Sequence, residues 1–339
     1  MDSKLDEEES SLKKRRIILT PPKKVSFNIK TLEDLIDFAW KYNEDDMGID
    51  WFTLWSMIPA LTELNNLIGM EELKKNIVEQ IIYFVQHLHT DNDMLHTVIC
   101  GPPGVGKTTV AKILANIYCK LGILSTNNVI CAGKEDFIGK FIGHTGPKTK
   151  ELLESCIGGV LFVDEIYSFG YSSRNEEGPN SFSKEAIDFF NKFLYDHKNE
   201  FICIIAGYED DIEKHFFGVN KGLKRRFPIK YKIEPYTSSE LLQIFRKMSK
   251  DVGWKISHNP KIEIIFEENK DLFQFSGGDM EFLLSCCKTC HSNRIFGTYK
   301  RKKFITTSDL KRGFEKFKRT RNGKSISNKD KEIIGRYFS

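Results

Sequence analysis

Nine consecutive residues, Gly101-Pro102-Pro103-Gly104-Val105-Gly106-Lys107-Thr108-Thr109, have the types and spacing that suit one chemistry. They match G-x-x-x-x-G-K-[S/T], follow the apolar run HTVIC (96–100), and open the helical run VAKILANIYCKL. Glycines at these positions let backbone N–H groups close around a phosphate, and the start of the following helix adds to the anion site. In that reading Lys107 reaches the β- and γ-phosphates and Thr108 offers its hydroxyl to Mg²⁺. A second pair, Asp164-Glu165, ends the apolar run GGVLFV. The carboxyl end of a strand is where ligands bind in open α/β sheets. There Asp164 is suited to hold Mg²⁺, often through water, and Glu165 to activate the attacking water as general base.

A different stretch raises a question. In GKFIGHTGPKTKELL (139–153), bulky Phe141 and Ile142 sit between Gly139 and Gly143, in a segment that is neither a good helix nor an alternating strand. An isolated apolar pair on such a loop is ordinarily an anchor tucked into the core.

These residues need elements to position them. Short apolar runs at 96–100, 127–132, 158–165, 201–207 and 229–233 alternate with helical patterns. Continuous apolar strands separated by helices predict a parallel sheet covered on both faces, an α/β fold. Beyond Pro235 the pattern is helical, as in SSELLQIFRKMSKDVG, PKIEIIFEENK, DMEFLLSCCKTCHSNRIF and TTSDLKRGFEKF. Upstream, TLEDLIDFAWKYN and IDWFTLWSMIPAL predict a small tryptophan-rich helical element, and LNNLIGMEELKKNIVEQIIYFVQHL a loop leading into an amphipathic helix. The organisation expected is a charged segment over 1–29 without the apolar content to fold, a helical segment over 30–62, an α/β domain over 63–234, a small helical domain over 235–318 and a basic tail over 319–339. No internal repeat is visible.

The totals set limits. The 339 residues are 40% hydrophobic, enough for a core and about two domains. No apolar run approaches the roughly 18 residues of a membrane span, and the charged N-terminus carries no signal-peptide pattern. Eight cysteines without regular spacing, several inside apolar runs, point to a reduced intracellular protein, cytoplasmic or, from the basic run Lys13–Arg16, nuclear. Cys287-x-x-Cys290-His291 lies on a predicted helix with no second pair at zinc spacing, so packed helix cysteines are the better reading. The net charge of +4 conceals an asymmetry. Residues 300–339 carry a balance of +10 and the remainder −6, so nucleic acid or an acidic protein surface is a partner class for the tail.

The phosphate loop with its Asp-Glu pair resembles the AAA+ ATPases, and in particular the group of the red-type rubisco activase CbbX and the sporulation protein SpoVK. The resemblance runs from about Leu61 to Phe317 and rests on LNNLIGMEELKKNI, FIGKFIGHTGPKTKELLESCIGGVLFVDEIYSF, KEAIDFFNKFLYDH, FICIIAGY and NKGLKRRF. It implies ATP as the nucleotide, with Mg²⁺, and a P-loop sheet with helices on both faces followed by a helical lid. It implies a ring, a hexamer, as the working assembly. Ile68 and Gly69 match the segment that packs against adenine. Phe141-Ile142-Gly143 matches the aromatic–aliphatic–glycine triplet that such motors carry into a central pore to grip polypeptide. Arg226 matches the arginine finger that reaches a neighbour's γ-phosphate, with Arg225 as the second candidate.

Two departures from the family pattern stand out. Gly207 and Tyr208 occupy the end of FICIIAGY, where many relatives place a polar sensor. FSGGDMEFLL lacks the arginine of a second sensor. The function expected is therefore ATP hydrolysis in a ring that remodels or threads a macromolecule, a protein first, with the N-terminal segment helping to choose it. A nucleic-acid-dependent ATPase and a nucleotide-controlled scaffold are the alternatives.

Overall fold

In the computed structural model, which describes residues 28–41, 49–90, 92–139, 141, 143–170, 181–298 and 303–321, five short strands form one parallel sheet. They are β1 (Thr97–Cys100), β2 (Val129–Ala132), β3 (Val160–Val163), β4 (Ile202–Gly207) and β5 (Ile229–Lys232), in the order β2-β3-β4-β1-β5. β1, β3 and β4 are buried along their whole length. That explains why they read as unbroken apolar runs rather than alternating ones.

Alternation is still at work between the two faces. Ile99, Phe162, Ile204 and Ala206 turn into one core, while Val98, Cys100, Leu161, Val163 and Ile205 turn into the other. The first core is covered by α1 (Leu32–Lys41), α2 (Trp51–Asn65), α3 (Glu71–Val85) and α4 (Lys107–Lys120). The second contains Phe137 from the short α5 (Lys134–Phe137), Leu153 from α6 (Thr145–Ser155), and Ile187, Phe190 and Leu194 from α7 (Ser181–Asp196). After β4 the short α8 (Glu209–Ile212) leads into a wider turn, and a 3₁₀ turn (Leu223–Arg226) precedes β5.

α2 runs four residues past the expected stretch. Asp50 caps it by accepting from the Thr53 N–H at 2.9 Å, and Pro59 is accommodated on its solvent side. α1 lies antiparallel to α2: Asn65 at the end of α2 donates to Glu33 near the start of α1, and the Phe38 ring meets Trp51, 5.1 Å between centroids.

The C-terminal region packs α9 (Ser238–Asp251), α10 (Lys261–Glu268), α11 (Ser276–Ile295) and α12 (Thr307–Arg321) around Phe245, Phe266, Phe314 and Phe317. α9 starts with a reciprocal cap. The Glu240 N–H donates to Thr237 Oγ1 at 3.3 Å, and the Thr237 N–H donates to Glu240 Oε2 at 2.7 Å. A two-residue parallel pair, β6 (Lys255–Ile256) with β7 (Phe304–Ile305), ties this region together and is too short to leave a period in the sequence. The core of the α1–α4 side continues without a break into this lid. No helix among the described residues is long and apolar enough to cross a membrane.

Candidate nucleotide site

The loop 101–106 leaves the C-terminal end of β1, between β4 and β5 in the sheet. Its first residue is tied across to β4, the Gly101 N–H donating to the Gly207 carbonyl at 3.1 Å. Gly104 and Gly106 are left-handed, at φ +74° and +95°. Gly104 is also where the lid arrives: an added Cβ would lie 2.1 Å from the Phe275 carbonyl oxygen. Lys107 opens α4, is only 9% exposed, and bridges the loop by donating to the carbonyls of Gly101 (3.2 Å) and Pro102 (3.0 Å). Val105 anchors the loop in the core, while Thr108 is half-buried and Thr109 exposed beside it. With backbone donors, a helix start and a lysine converging, the loop can hold a polyphosphate.

Asp164 and Glu165 follow β3, two strands away on the same edge, and both are exposed. The Glu165 backbone is left-handed (φ +50°), and its N–H donates to Asp164 Oδ1 at 3.0 Å. Tyr167, in the next 3₁₀ turn, was not singled out by sequence. Burial, and after it the nearby Glu165 charge, pushes its phenol well up from the ordinary value. Its ring lies over Gly207, where an added Cβ would be 2.8 Å from Cε1. That contact explains why β4 ends in glycine rather than in a polar sensor. Tyr208 next to it is 43% exposed, with its ring 6.3 Å from that of Tyr167.

The lid closes on this edge through named contacts. Gly277 N–H donates to the Gly104 carbonyl at 3.0 Å, and Tyr236 Oη–H donates to the Val105 carbonyl at 2.9 Å. Where relatives carry a second-sensor arginine, α11 has Asp279, which accepts from the Phe275 N–H at 2.7 Å and pairs with Arg321 from the end of α12. The Arg321 guanidinium stands 5.0 Å over the Phe275 ring. Ile68 and Gly69 lie in the loop before α3, and the Cε of the next residue, Met70, would be 3.5 Å from a Cβ added at Gly106 of the phosphate loop.

The two arginines are elsewhere. Arg225 and Arg226 end the 3₁₀ turn just before β5, and Ile229, the first residue of β5, pairs with Thr97, the first of β1. They therefore lie beyond the strand starts, the edge opposite the phosphate loop. Arg225 is exposed. Arg226 is half-buried, its guanidinium 4.7 Å from the Tyr195 ring centre, and its buried Nε finds no hydrogen-bond partner among the described residues. His96, at the start of β1, marks the same edge. Its Nε2 meets the Leu194 carbonyl at 3.1 Å and its Nδ1 accepts from the Cys203 N–H at 3.1 Å. Burial first, and the Arg226 charge among the smaller causes, pushes its imidazole down to about 4.

The loop of Phe141 also has a clear arrangement. The anchor is Phe137, 1% exposed, in the core beside Phe169 and Phe190. The feet are held by Thr149 Oγ1–H donating to the Phe137 carbonyl (2.9 Å) and the Gly139 N–H donating to Thr145 Oγ1 (3.2 Å). Phe141 itself is 67% exposed, its ring edge-on to that of His144, and Gly143 is left-handed at φ +82°. Phe141 is thus not a core anchor; Lys140 and Ile142 lie outside the described residues. So do Lys13–Arg16 and the tail beyond Arg321.

All eight cysteines are free, and no group of three or more metal-ligating side chains occurs among the described residues.

Residues 97–234 match the family described as "ATPase family associated with various cellular activities (AAA)". The chain is 40% identical over 313 residues to the cfxQ-like protein R730 of Acanthamoeba polyphaga mimivirus, covering 89% of this chain and 75% of that one. It is 32% identical over 271 residues to the chloroplastic ribulose bisphosphate carboxylase/oxygenase activase of Cyanidioschyzon merolae, covering 78% and 86%. Among solved structures, the AAA domain of FIGL-1 in complex with ADP superposes with a TM-score of 0.53 at 18% identity, covering 87% of this chain and 92% of that one, a likeness of fold.

Proposed function

This chain belongs to the AAA ATPase family, in the group of the CfxQ and rubisco activase proteins, and is an ATP hydrolase; we propose that it works as a ring whose ATP sites lie between copies, and that the ring pulls on a polypeptide. One observation carries the reading. The phosphate loop with Asp164 and Glu165 lies at the strand ends, and Arg225 and Arg226 lie at the strand starts. A four-residue strand is about 10–13 Å long, so neither arginine reaches the phosphates held by its own chain. A second copy set head to tail brings one copy's arginines to the other's nucleotide, and repetition of that contact closes a ring. Six copies are the expected number by resemblance.

Each residue then has a role. The backbone of Gly101–Gly106 and Lys107 hold the phosphates, Thr108 and Asp164 hold Mg²⁺, and Ile68 and Gly69 pack on adenine. When bound, Mg²⁺ offsets charge on the phosphates. Glu165 takes the proton of the attacking water, and Tyr167 beside it limits where the carboxylate can move. Arg226 of a neighbouring copy, held in place by Tyr195, stabilises charge on the transferred phosphoryl group, with Arg225 in reserve. Phe141, exposed on a loop with anchored feet, packs against an extended chain in the centre of the ring, and glycine on either side lets it move.

The test is a titration of wild-type protein with the double variant Glu165→Gln/Arg226→Ala. A site shared between copies is intact only where two wild-type copies adjoin, so activity should fall as the square of the wild-type fraction. Activity that simply follows that fraction contradicts a site shared between copies.

A further inference from the structure

The loop from Asn65 to Met70 runs between α2, the phosphate loop and the start of α9. It continues from α2, its Met70 Cε would be 3.5 Å from a Cβ added at Gly106 of the phosphate loop, and its Gly69 faces the start of α9, where an added Cβ would come up against Glu240 Oε1. Gly69 and Met70 are consecutive left-handed residues, at φ +68° and +62°. A backbone of that kind persists only where its surroundings hold it.

Two lysines do the holding. Lys74 Nζ donates to the Leu67 carbonyl at 2.8 Å and to the Asn65 carbonyl at 3.3 Å, with Glu71 at 3.4 Å. Lys247, from α9 of the lid, donates to the carbonyl between them, that of Asn66, at 3.0 Å. Lys74 is only 8% exposed. It stands in the first turn of α3, the end of a helix dipole that disfavours a cation. Its location makes sense at the other helix, because it meets the orphan carbonyls at the C-terminus of α2. The burial of this ammonium thus serves the shape of the 65–70 loop.

We infer that Lys74 positions the base-reading loop and thereby sets the preference for adenine over guanine, with Lys247 as a weaker, lid-borne partner. The inference rests on the reading that Ile68 and Gly69 pack against the base. A loop that reads a purine through its backbone separates a 6-amino from a 6-oxo group by the placement of single N–H and C=O groups, so a small displacement removes the distinction. Lys74 touches no nucleotide and acts through the loop. Lys247 adds a consequence: the base-reading loop is fixed fully only when the lid is in place.

The experiment measures ATP and GTP hydrolysis by the full chain as wild type, Lys74→Met, Lys74→Arg, Lys247→Met and Ile68→Ala. Lys74→Met should raise KM for ATP about tenfold, the size of one charge-assisted hydrogen bond, with kcat near wild type. KM for GTP should change little, so the ATP/GTP ratio of kcat/KM falls by the same factor. Lys74→Arg should recover most of the ratio, and Lys247→Met should lower it less than Lys74→Met does. An unchanged ratio in Lys74→Met, while Ile68→Ala lowers it, overturns the role of Lys74 alone. An unchanged ratio in both overturns the base-reading loop itself. Should Lys74→Met fail to fold, Lys247→Met carries the comparison from an exposed position, and an unchanged ratio there overturns the inference.

Discussion

The two edges of the central sheet are built differently. At the strand ends lie glycines, a bridging lysine and two exposed carboxylates, and the lid meets the glycine loop through Gly277 on Gly104 and Tyr236 on Val105. At the strand starts, His96 is sealed between the Leu194 carbonyl and the Cys203 N–H, and Arg226 rests on Tyr195 with its Nε unpartnered among the described residues. One edge presents a glycine loop, a lysine and carboxylates. The other carries buried His96 with Arg225 and Arg226 at its rim. A hydrolytic site needs both the carboxylate and the guanidinium, and this fold places them on opposite sides of its own sheet. That division is what supports the proposed sharing of sites between copies, beyond membership of the family alone.

The largest effects should come from removing one edge's contribution. Glu165→Gln should keep ATP binding and lower phosphate release by about 10²–10⁴-fold, the usual share of a general base. Near-normal turnover would remove Glu165 from the mechanism. Arg226→Ala should lower turnover by about 10³-fold, and Arg225→Ala far less, because Arg226 is oriented by a ring and Arg225 is exposed without an ion pair among the described residues. The opposite ranking in a phosphate-release assay would make Arg225 the finger.

The loop of Phe137 and Phe141 offers a smaller version of the same contrast. Phe137→Ala should cost about 3–5 kcal/mol in thermal unfolding, as for a buried phenylalanine. Phe141→Ala should stay within about 0.5 kcal/mol, as for a surface change, yet lose substrate-stimulated turnover. A melting temperature lowered equally in both would contradict the exposed tip.

The smallest effect concerns acid. His96 sits at about 4 in the fold against an ordinary 6.5, so the unfolded chain binds the extra proton between these values. Its contribution is complete above about pH 6.5 and is lost as pH falls toward 4, up to about 3 kcal/mol. His96→Gln should flatten that acid limb in denaturant unfolding measured from pH 7 to 4. An unchanged slope would show that the histidine is not sealed.

The candidate phosphate loop was legible because its signals are local. Nine consecutive residues define the phosphate loop, and the apolar run before Asp164-Glu165 announces a buried strand. The same locality limited the rest. Phe141 and Phe137 are both aromatic residues four positions apart, and only packing against Phe169 and Phe190 distinguishes anchor from tip. Tyr167 over Gly207 and Lys74 under Leu67 are contacts between segments that carry no shared period. The placement of Arg226 opposite its own phosphate loop follows from the parallel pairing of β1 and β5, since the loop follows one strand and the arginine precedes the other, while the strand order itself is what the linear pattern leaves open.

The most direct measurement mixes two inactive proteins. Glu165→Gln retains its arginines, and Arg226→Ala retains its general base. If sites form between copies, a copy of Arg226→Ala followed by a copy of Glu165→Gln rebuilds one intact site. Random mixing at equal amounts should then restore turnover to about a quarter of wild type per chain, the share of head-to-tail contacts with the right order. Turnover that stays at the level of the separate variants, in mixtures shown by light scattering to co-assemble, would contradict a site divided between neighbouring chains.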